Sequence, residues 1–290
     1  MKQGIWVVAI VSMLAVGCGT NSATQATSAT SASASAANSA ANSAAQGSAP
    51  DGAVESGQMI VTLEDATAPD AIQGRALFEK SGLLGTLSQY VNDVFNLPFD
   101  IPLVGKQCDE PNAYWNPSDK QMTMCYEWPA LALQLFKDDP DPEAAALEST
   151  TAVFYHELGH MLIDIYDLPV TGREEDVADQ LSAFLLLADY SDGTPTNPDD
   201  IQAAKTFATE WGLLSALGGP LEQEAFADVH TPDEARSYNF QCWIYGSNPT
   251  ANADIVNDGL LPESRAGGCE EEFAKLSRAW SELIDPHVKK

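Results

Sequence analysis

The sequence predicts an α+β fold in which a small sheet with a β-hairpin packs on a long helix and on the helix that follows it. Three patterns support this prediction. Apolar residues recur at helical spacing around residues 156–160, residues 113–126 form two β-rich runs around a turn signal, and a second helical pattern begins at Arg173. No internal repeat is visible in the chain.

The first predicted elements are a strand and a helix. Residues 58–63 alternate weakly between polar and apolar side chains, which predicts a strand. Residues 83–95 predict a helix because Leu84, Leu87 and Val91 recur at helical spacing. Pro98 should mark the end of that helix.

Residues 102–128 predict a β-hairpin. Two β-rich runs, at 113–115 and 122–126, flank the sequence Asn-Pro-Ser-Asp at 116–119, which strongly favours a turn. Such a hairpin could expose an edge strand to an extended peptide, or it could be an ordinary buried pair of strands. Tyr114 and Trp115 would line a cleft in the first case and pack the core in the second.

Three further helices are predicted downstream. Asp141 as N-cap and Pro142 at the first position begin a helix that should continue to Asp167. A second helix should run from Arg173 to about Tyr190, where Ser-Asp-Gly at 191–193 favours a stop. Near the C-terminus an apolar stripe predicts an amphipathic core helix, with Phe273, Leu276, Trp280, Leu283 and Ile284 on its buried face.

The clearest chemistry belongs to His156, Glu157 and His160. Histidines at i and i+4 lie on one helical face, so both imidazoles can bind one cation, with the intervening glutamate beside it. Zinc hydrolases use such ligands and keep one position for water. The pattern therefore predicts a zinc site with Glu157 as general base. A chance match is the alternative, but the chain has four histidines and two of them lie here.

Glu175 is the predicted third zinc ligand. It falls in the first turn of the helix that follows the histidine helix, and its neighbours Glu174 and Asp176 are alternatives. Asp179 lies one turn further along the same face and should orient a ligand imidazole through its second nitrogen.

A peptidase also needs a donor that stabilises the oxyanion formed during attack on a carbonyl. His230 is the predicted donor because it lies in a turn-like stretch where Asp228 could orient its ring. A surface or helix-capping histidine is the alternative interpretation, and Arg236 and Tyr238 are further candidate donors.

The N-terminus predicts export. Residues 1–17 read as a signal peptide whose apolar run is shorter than the roughly 20 residues of a membrane span. Leu-Ala-Val-Gly-Cys at 14–18 resembles a bacterial lipobox and predicts lipidation of Cys18, with plain cleavage nearby as the alternative. Because Gly19 replaces the aspartate linked to inner-membrane retention, we expect the outer membrane, with the protein facing the periplasm or the cell surface.

Residues 18–50 follow as the lipidated cysteine and a disordered tether. From Gly19 to Pro50 the chain is nearly all Ala, Ser, Thr and Asn, with no charged and no aromatic residue, so it has nothing with which to offset ordering entropy. A flexible tether of this length would hold a domain on the order of 30 Å from its anchor. Residues 51–290 should form the folded domain.

Cysteine count and charge narrow the function further. Apart from Cys18, the exported chain has an even set of cysteines, for which we expect two local disulfides, and a cysteine zinc site is the rival. The expected pairs are Cys108 with Cys125 and Cys242 with Cys269. The formal net charge of −28 argues against nucleic acid as a partner and disfavours tight docking on anionic lipid.

Six short segments of the predicted domain together carry a resemblance to a known family. They are Cys-Asp-Glu-Pro-Asn-Ala-Tyr at 108–114, Cys-Tyr-Glu at 125–127, His-Glu-Leu-Gly-His at 156–160, Gly-Arg-Glu-Glu-Asp at 172–176, Asp-Gln at 179–180 and Cys-Trp-Ile-Tyr-Gly at 242–246. With them the chain resembles a bacterial family of zinc metallopeptidases long listed as a domain of unknown function. The resemblance implies a gluzincin-like variant of the zincin fold. Glu-x-x-Ala-Asp at 175–179 is similar to the third-ligand helix of membrane-linked zinc peptidases.

The sequence therefore supports two hypotheses from different classes. The first is a zinc endopeptidase that cleaves proteins or peptides in the bacterial envelope, and the second is a catalytically silent zinc-binding lipoprotein that acts as a scaffold for a partner. The presence of Glu157 favours the first, since a scaffold needs no general base. A peptidoglycan amidase is a weaker third hypothesis. The oligomeric state does not follow from the sequence.

Overall fold

A computed structural model describes residues 57–188 and 197–290. The strands are β1 (Met59–Leu63), β2 (Ile101–Lys106), β3 (Ala113–Asn116) and β4 (Gln121–Cys125). The helices are α1 (Pro69–Ser81), α2 (Leu83–Val94), α3 (Glu127–Leu135), α4 (Pro142–Tyr166), α5 (Glu174–Leu187), α6 (Pro198–Gly218), α7 (Asp233–Ser247), α8 (Asp254–Asn257), α9 (Glu263–Ala266) and α10 (Cys269–Ile284). The predicted signal peptide, Cys18 and the tether lie outside the described residues.

The strands form one mixed sheet in the order β1-β2-β4-β3. β1, β2 and β4 run parallel, and β3 is antiparallel to β4, with Ala113 opposite Met124 and Asn116 opposite Gln121. The predicted hairpin is therefore confirmed, and β3 is an edge strand of this sheet. A small sheet with many helices confirms the α+β class.

β2 was not predicted from the sequence, although it lies between β1 and β4. Pro102 lies beside Ile60 of β1, before the pairing of β2 with β4 begins at Leu103 and Met122. Its missing N–H therefore removes no hydrogen bond to β4, which is how a proline is tolerated at the start of an inner strand.

Helix α4 begins and ends where the sequence predicts. The Asp141 side chain accepts a hydrogen bond from the Ala144 N–H at 3.1 Å, and Asp167 ends the helix in a left-handed conformation with φ of 51°. α5 ends at Leu187, earlier than predicted, because Ala188 is already extended. The predicted stop at 191–193 lies outside the described residues.

Helices α4 and α5 approach each other closely at Gly159. A Cβ atom on this residue would lie 2.9 Å from the Ala178 Cα, so a larger side chain would force the two helices apart. The glycine within the His-Glu-Leu-Gly-His sequence thus lets the first turn of α5 lie against the histidines of α4.

The core surrounds α4, whose residues Phe154, Leu158, Met161 and Leu162 have no exposed surface. The C-terminal helix α10 is amphipathic as predicted, with Phe273, Leu276, Trp280 and Ile284 buried. His287, just after α10, stacks on Tyr166 with ring centroids 3.8 Å apart. Among the described residues, every helix is too short or too polar to cross a membrane.

Both predicted disulfides are present. Cys108 is bonded to Cys125, which joins the chain after β2 to the end of β4, and Cys242 is bonded to Cys269, which joins α7 to the start of α10. The first pair lies near the Glu127 carboxylate, but a disulfide has no thiolate to offer a metal. A cysteine zinc site at this position is therefore wrong.

Candidate metal centre

His156, His160 and Glu175 meet where α4 packs against the first turn of α5. One ligand atom from each lies within 4.8 Å of the others. The two Nε2 atoms are 3.2 Å apart, and each is 3.3 Å from the Glu175 Oε2. The structure thus brings together the three residues that the sequence predicted as metal ligands.

Carboxylates behind the two histidines fix the orientation of the rings. His156 Nδ1 lies 2.8 Å from Asp179 Oδ1, and His160 Nδ1 lies 2.8 Å from Glu174 Oε1. Because an ionised carboxylate accepts and does not donate, both Nδ1 atoms carry the proton. The Nε2 atoms of both rings therefore face Glu175 and are the atoms that could bind a metal ion.

Asp179 is in turn held by Arg236, which is buried. Arg236 donates from Nε to Asp179 Oδ2 at 2.8 Å and from Nη2 to Asp179 Oδ1 at 2.6 Å. The guanidinium group also stacks on Trp211, 3.6 Å from the ring centroid. Burial alone would raise the pKa of Asp179, but the charge of Arg236 and the hydrogen bond from His156 lower it to about 2.

Glu157 is buried beside the ligand group and is held by the edge strand. Its Oε2 accepts a hydrogen bond from the Trp115 backbone N–H at 2.9 Å, while its Oε1 lies 4.0 Å from His156 Nε2. Trp115 is anchored a second time, because its ring N–H donates to Asp164 at 2.9 Å. β3 thus fixes one oxygen of Glu157 and leaves the other facing the ligand group.

His230 reaches the same group from the segment before α7. Its Nδ1 lies 3.0 Å from Asp228 Oδ1, as the sequence anticipated, and its Nε2 lies 3.1 Å from Glu175 Oε2. The hydrogen bond to Glu175 is the main cause that raises the pKa of His230. A charged His230 presents an N–H at Nε2, on the side where the ligand group lies.

The protonation of the ligand group shows how strongly it attracts positive charge. Burial alone would lower the pKa of His160, but Glu174 and Glu175 raise it to about 10. Burial also opposes protonation of His156, yet Asp179 and Glu175 raise its pKa. For Glu175, burial favours the neutral acid, but its three histidine neighbours bring its pKa far below the ordinary range.

These donors fit a divalent metal ion. With both Nδ1 protons committed to carboxylates, two imidazole Nε2 atoms and one carboxylate oxygen converge within 4.8 Å of one another, an arrangement that calls for positive charge among them, either as protons on the histidines or as a metal ion. Two imidazole nitrogens and one carboxylate oxygen match the ligand set of catalytic zinc sites. A metal would take the place of the protons that the free histidines would otherwise hold.

The alternatives from the sequence lie elsewhere. Glu174 contacts His160 Nδ1 and not the ligand group, and Asp176 accepts a hydrogen bond from the Thr231 hydroxyl. Arg236 is engaged with Asp179, and Tyr238 is 38% exposed.

Two features of the site were missed in the sequence. The backbone N–H of Trp115 carries no residue-specific signal, and the burial of Arg236 depends on Asp179 and Trp211, which are distant in sequence. The nearest clue was the placement of the β-rich run at 113–115 before the histidine helix.

Comparison with known proteins agrees with this geometry. The chain matches the model of the DUF4344 family, described as "Putative metallopeptidase", over residues 63–284, which include every residue of the candidate centre. No curated protein and no solved structure matches the chain. The matched range covers most of the chain and contains both disulfides as well as the histidine helix. The chain therefore belongs to the DUF4344 family.

Proposed function

We propose that this protein is a zinc-dependent endopeptidase of the bacterial cell envelope. The observation that carries the proposal is the convergence of His156 Nε2, His160 Nε2 and Glu175 Oε2 beside the free oxygen of Glu157. Family membership supports a peptidase, and the donor set supports zinc as the metal.

His156, His160 and Glu175 would hold the zinc ion. When bound, zinc supplies Lewis acidity, which makes water more acidic and polarises a substrate carbonyl. Asp179 and Glu174 keep the proton on the Nδ1 of each histidine, so that each Nε2 remains a ligand atom.

Glu157 would act as general base. Trp115 holds its Oε2, so its Oε1 is the atom that takes the proton of the attacking water and later passes it to the leaving amine. His230, oriented by Asp228, would donate from Nε2 to the oxyanion that develops on the substrate carbonyl. The bond that breaks is the amide C–N bond of a polypeptide.

The cell envelope is the proposed location. Two disulfides fit an oxidising compartment outside the cytoplasm. The sequence pattern at residues 1–50 predicts a signal peptide, lipidation at Cys18 and a tether. The domain would therefore act within reach of a membrane, which we propose is the outer membrane.

The test compares wild type with Glu157→Gln in the full-length protein supplied with zinc. Gln keeps the side-chain shape and can still accept from the Trp115 N–H, but it cannot take a proton. We expect about one zinc per chain in both proteins and a loss of labelled-casein hydrolysis by about 10²- to 10⁴-fold in the variant.

Glu282→Gln is the matched control, because Glu282 is exposed on α10, and it should cleave casein at the wild-type rate. Equal cleavage by wild type and Glu157→Gln would contradict the assigned base. Zinc binding without cleavage of any protein by the wild type would favour the silent scaffold.

A further inference from the structure

Large apolar side chains that are exposed are concentrated in one stretch of the described chain. Phe226 is 60% exposed and Val229 is 62% exposed. Leu217 and Leu221 are exposed in the same stretch, whereas Ile60, Ile72, Phe99, Tyr238 and Leu260 are exposed elsewhere. Exposed apolar residues that occur together commonly mark a binding surface.

This stretch adjoins the candidate metal centre. Val229 directly precedes His230, whose Nε2 lies 3.1 Å from Glu175 Oε2. The residue after His230 is Thr231, and its hydroxyl donates a hydrogen bond to Asp176. Phe226 closes the 3-10 helix Gln223–Phe226, and its Cα can be at most about 11 Å from that of Val229. These contacts hold His230 and Thr231 against the first turn of α5, which contains Glu175, and the exposed Val229 is the next residue before them in the chain.

The same stretch and the residues that directly follow it are acidic. Residues 219–234 contain no lysine or arginine, and their carboxylates are those of Glu222, Glu224, Asp228, Asp233 and Glu234. The Asp228 side chain is 40% exposed and that of Glu174, on α5, is 52% exposed. The nearby cation Arg236 is buried against Asp179, and the exposed Arg173 is followed directly by three carboxylates.

We propose that residues 217–229, here called the apolar rim, bind the substrate polypeptide, and that its preferred substrates are extended chains carrying apolar side chains together with lysine or arginine. The inference rests on the proposed function and names the substrate class of that site. Apolar side chains would cover Phe226 and Val229, and cationic side chains would face the surrounding carboxylates.

The acidic charge around the rim disfavours binding of a second copy of this chain or of an anionic membrane. A second copy of this chain would bring a formal net charge of −28 against an acidic surface, and an anionic bilayer would repel the rim in the same way. A cationic, apolar polypeptide gains from both features of the rim, and its attraction weakens as salt rises.

The experiment uses full-length protein supplied with zinc and three internally quenched peptides of equal length: apolar and basic, apolar and acidic, polar and basic. We expect the first to be cleaved with a kcat/KM at least tenfold above each of the others. The double variant Phe226→Ser, Val229→Ser should raise KM for the first peptide about tenfold or more, with kcat nearly unchanged. Ile72→Ser, which alters an apolar residue of α1 that is 50% exposed, should match wild type.

A binding measurement distinguishes failure of this inference from failure of the proposed function. Fluorescence anisotropy of the labelled peptides with Glu157→Gln protein measures peptide binding to the rim without hydrolysis. If wild type cleaves no peptide but the apolar, basic peptide binds best and the rim substitutions weaken its binding tenfold, the function fails and the rim assignment stands. Equal KM for the rim variant and wild type overturns the rim assignment, and so does equal binding of the three peptides. It is also overturned if the rim substitutions change only self-association or binding to phosphatidylglycerol vesicles.

Discussion

Asp179 connects the candidate metal centre to the buried residues Arg236 and Trp211. One of its oxygens meets His156 Nδ1, and both oxygens accept from Arg236, which is itself stacked on Trp211. A carboxylate in this position keeps the ligand histidine in one tautomer and one orientation. The ionised form is maintained because the pKa of Asp179 is lowered to about 2.

Asp179→Asn should weaken zinc binding about 10- to 100-fold without removing a ligand. The amide can no longer serve as a charged acceptor for both His156 and Arg236, so His156 loses its fixed tautomer. Competition for zinc against a fluorescent chelator measures the change. Asp93→Asn, an exposed change on α2, is the control, and unaltered affinity in Asp179→Asn would show that this contact does not orient His156.

Glu210 of α6 is a second buried carboxylate, and it takes no part in the proposed chemistry. Its Oε2 accepts from the Ser149 hydroxyl, which also accepts from the Trp128 ring N–H, while its Oε1 has no hydrogen-bond partner among the residues that the structure describes. Burial raises its pKa to about 7, although Ser149 and Arg236 act in the opposite direction. The folded protein therefore prefers Glu210 protonated.

Glu210 should make the protein less stable as pH rises. The folded state holds this proton up to about pH 7, whereas the unfolded chain releases it near pH 4.5, so the free energy of unfolding falls between these values and levels off above them. The loss is up to about 3 kcal/mol. Glu210→Gln, which has no proton to lose, should flatten the difference in stability between pH 5 and pH 8.

Urea unfolding at several pH values measures this effect. Glu282→Gln, at an exposed position, serves as the control and should keep the wild-type pH dependence. A Glu210→Gln protein with the same pH dependence as wild type would mean that the buried carboxylate is already ionised in the folded state.

At the scale of the elements, the close packing of α4 and α5 determines whether the three candidate ligands meet. Gly159→Ala places a methyl group 2.9 Å from the Ala178 Cα and 3.1 Å from its Cβ, so α5 must move away from α4. We expect a loss of stability of about 1–3 kcal/mol and weaker zinc binding, because Glu175 moves with α5.

Gly85→Ala is the matched control, since it lies within α2 with no atom near its added Cβ. It should stabilise the protein by about 0.5–1 kcal/mol through helix propensity alone. Chemical denaturation and zinc titration of the two variants give both quantities. Gly159→Ala that binds zinc like wild type would show that the approach of the helices does not position Glu175.

Elements with a clear local signal were predictable. Asp141-Pro142 marked the start of α4, the turn at 116–119 marked the hairpin, and the apolar stripe marked α10. Neither β2 nor α6 shows a clear periodicity of apolar residues in the sequence. β2 has Pro102 near its start and α6 is buried on several sides, so the environment of both is set by tertiary packing.

At the scale of the whole molecule, the candidate ligands were predictable because helix geometry fixes His156 and His160 on one face, and Glu175 falls in the next helix. The Trp115 N–H and the Arg236–Asp179 pair were not, since they depend on the way β3 and α7 pack on the two ligand helices. Both disulfides followed the expected local pairing. Local pattern thus identified the residue types, and tertiary contacts determined how they are held.

The whole account depends on one zinc ion held by α4 and α5 together. Elemental mass spectrometry of the purified full-length protein measures this most directly, on wild type, His156→Ala, Glu175→Ala and the control Glu282→Gln. We predict about one zinc per chain in wild type and control and its loss from both ligand variants. Zinc retained by both ligand variants, or no zinc in gently purified wild type, would contradict the account.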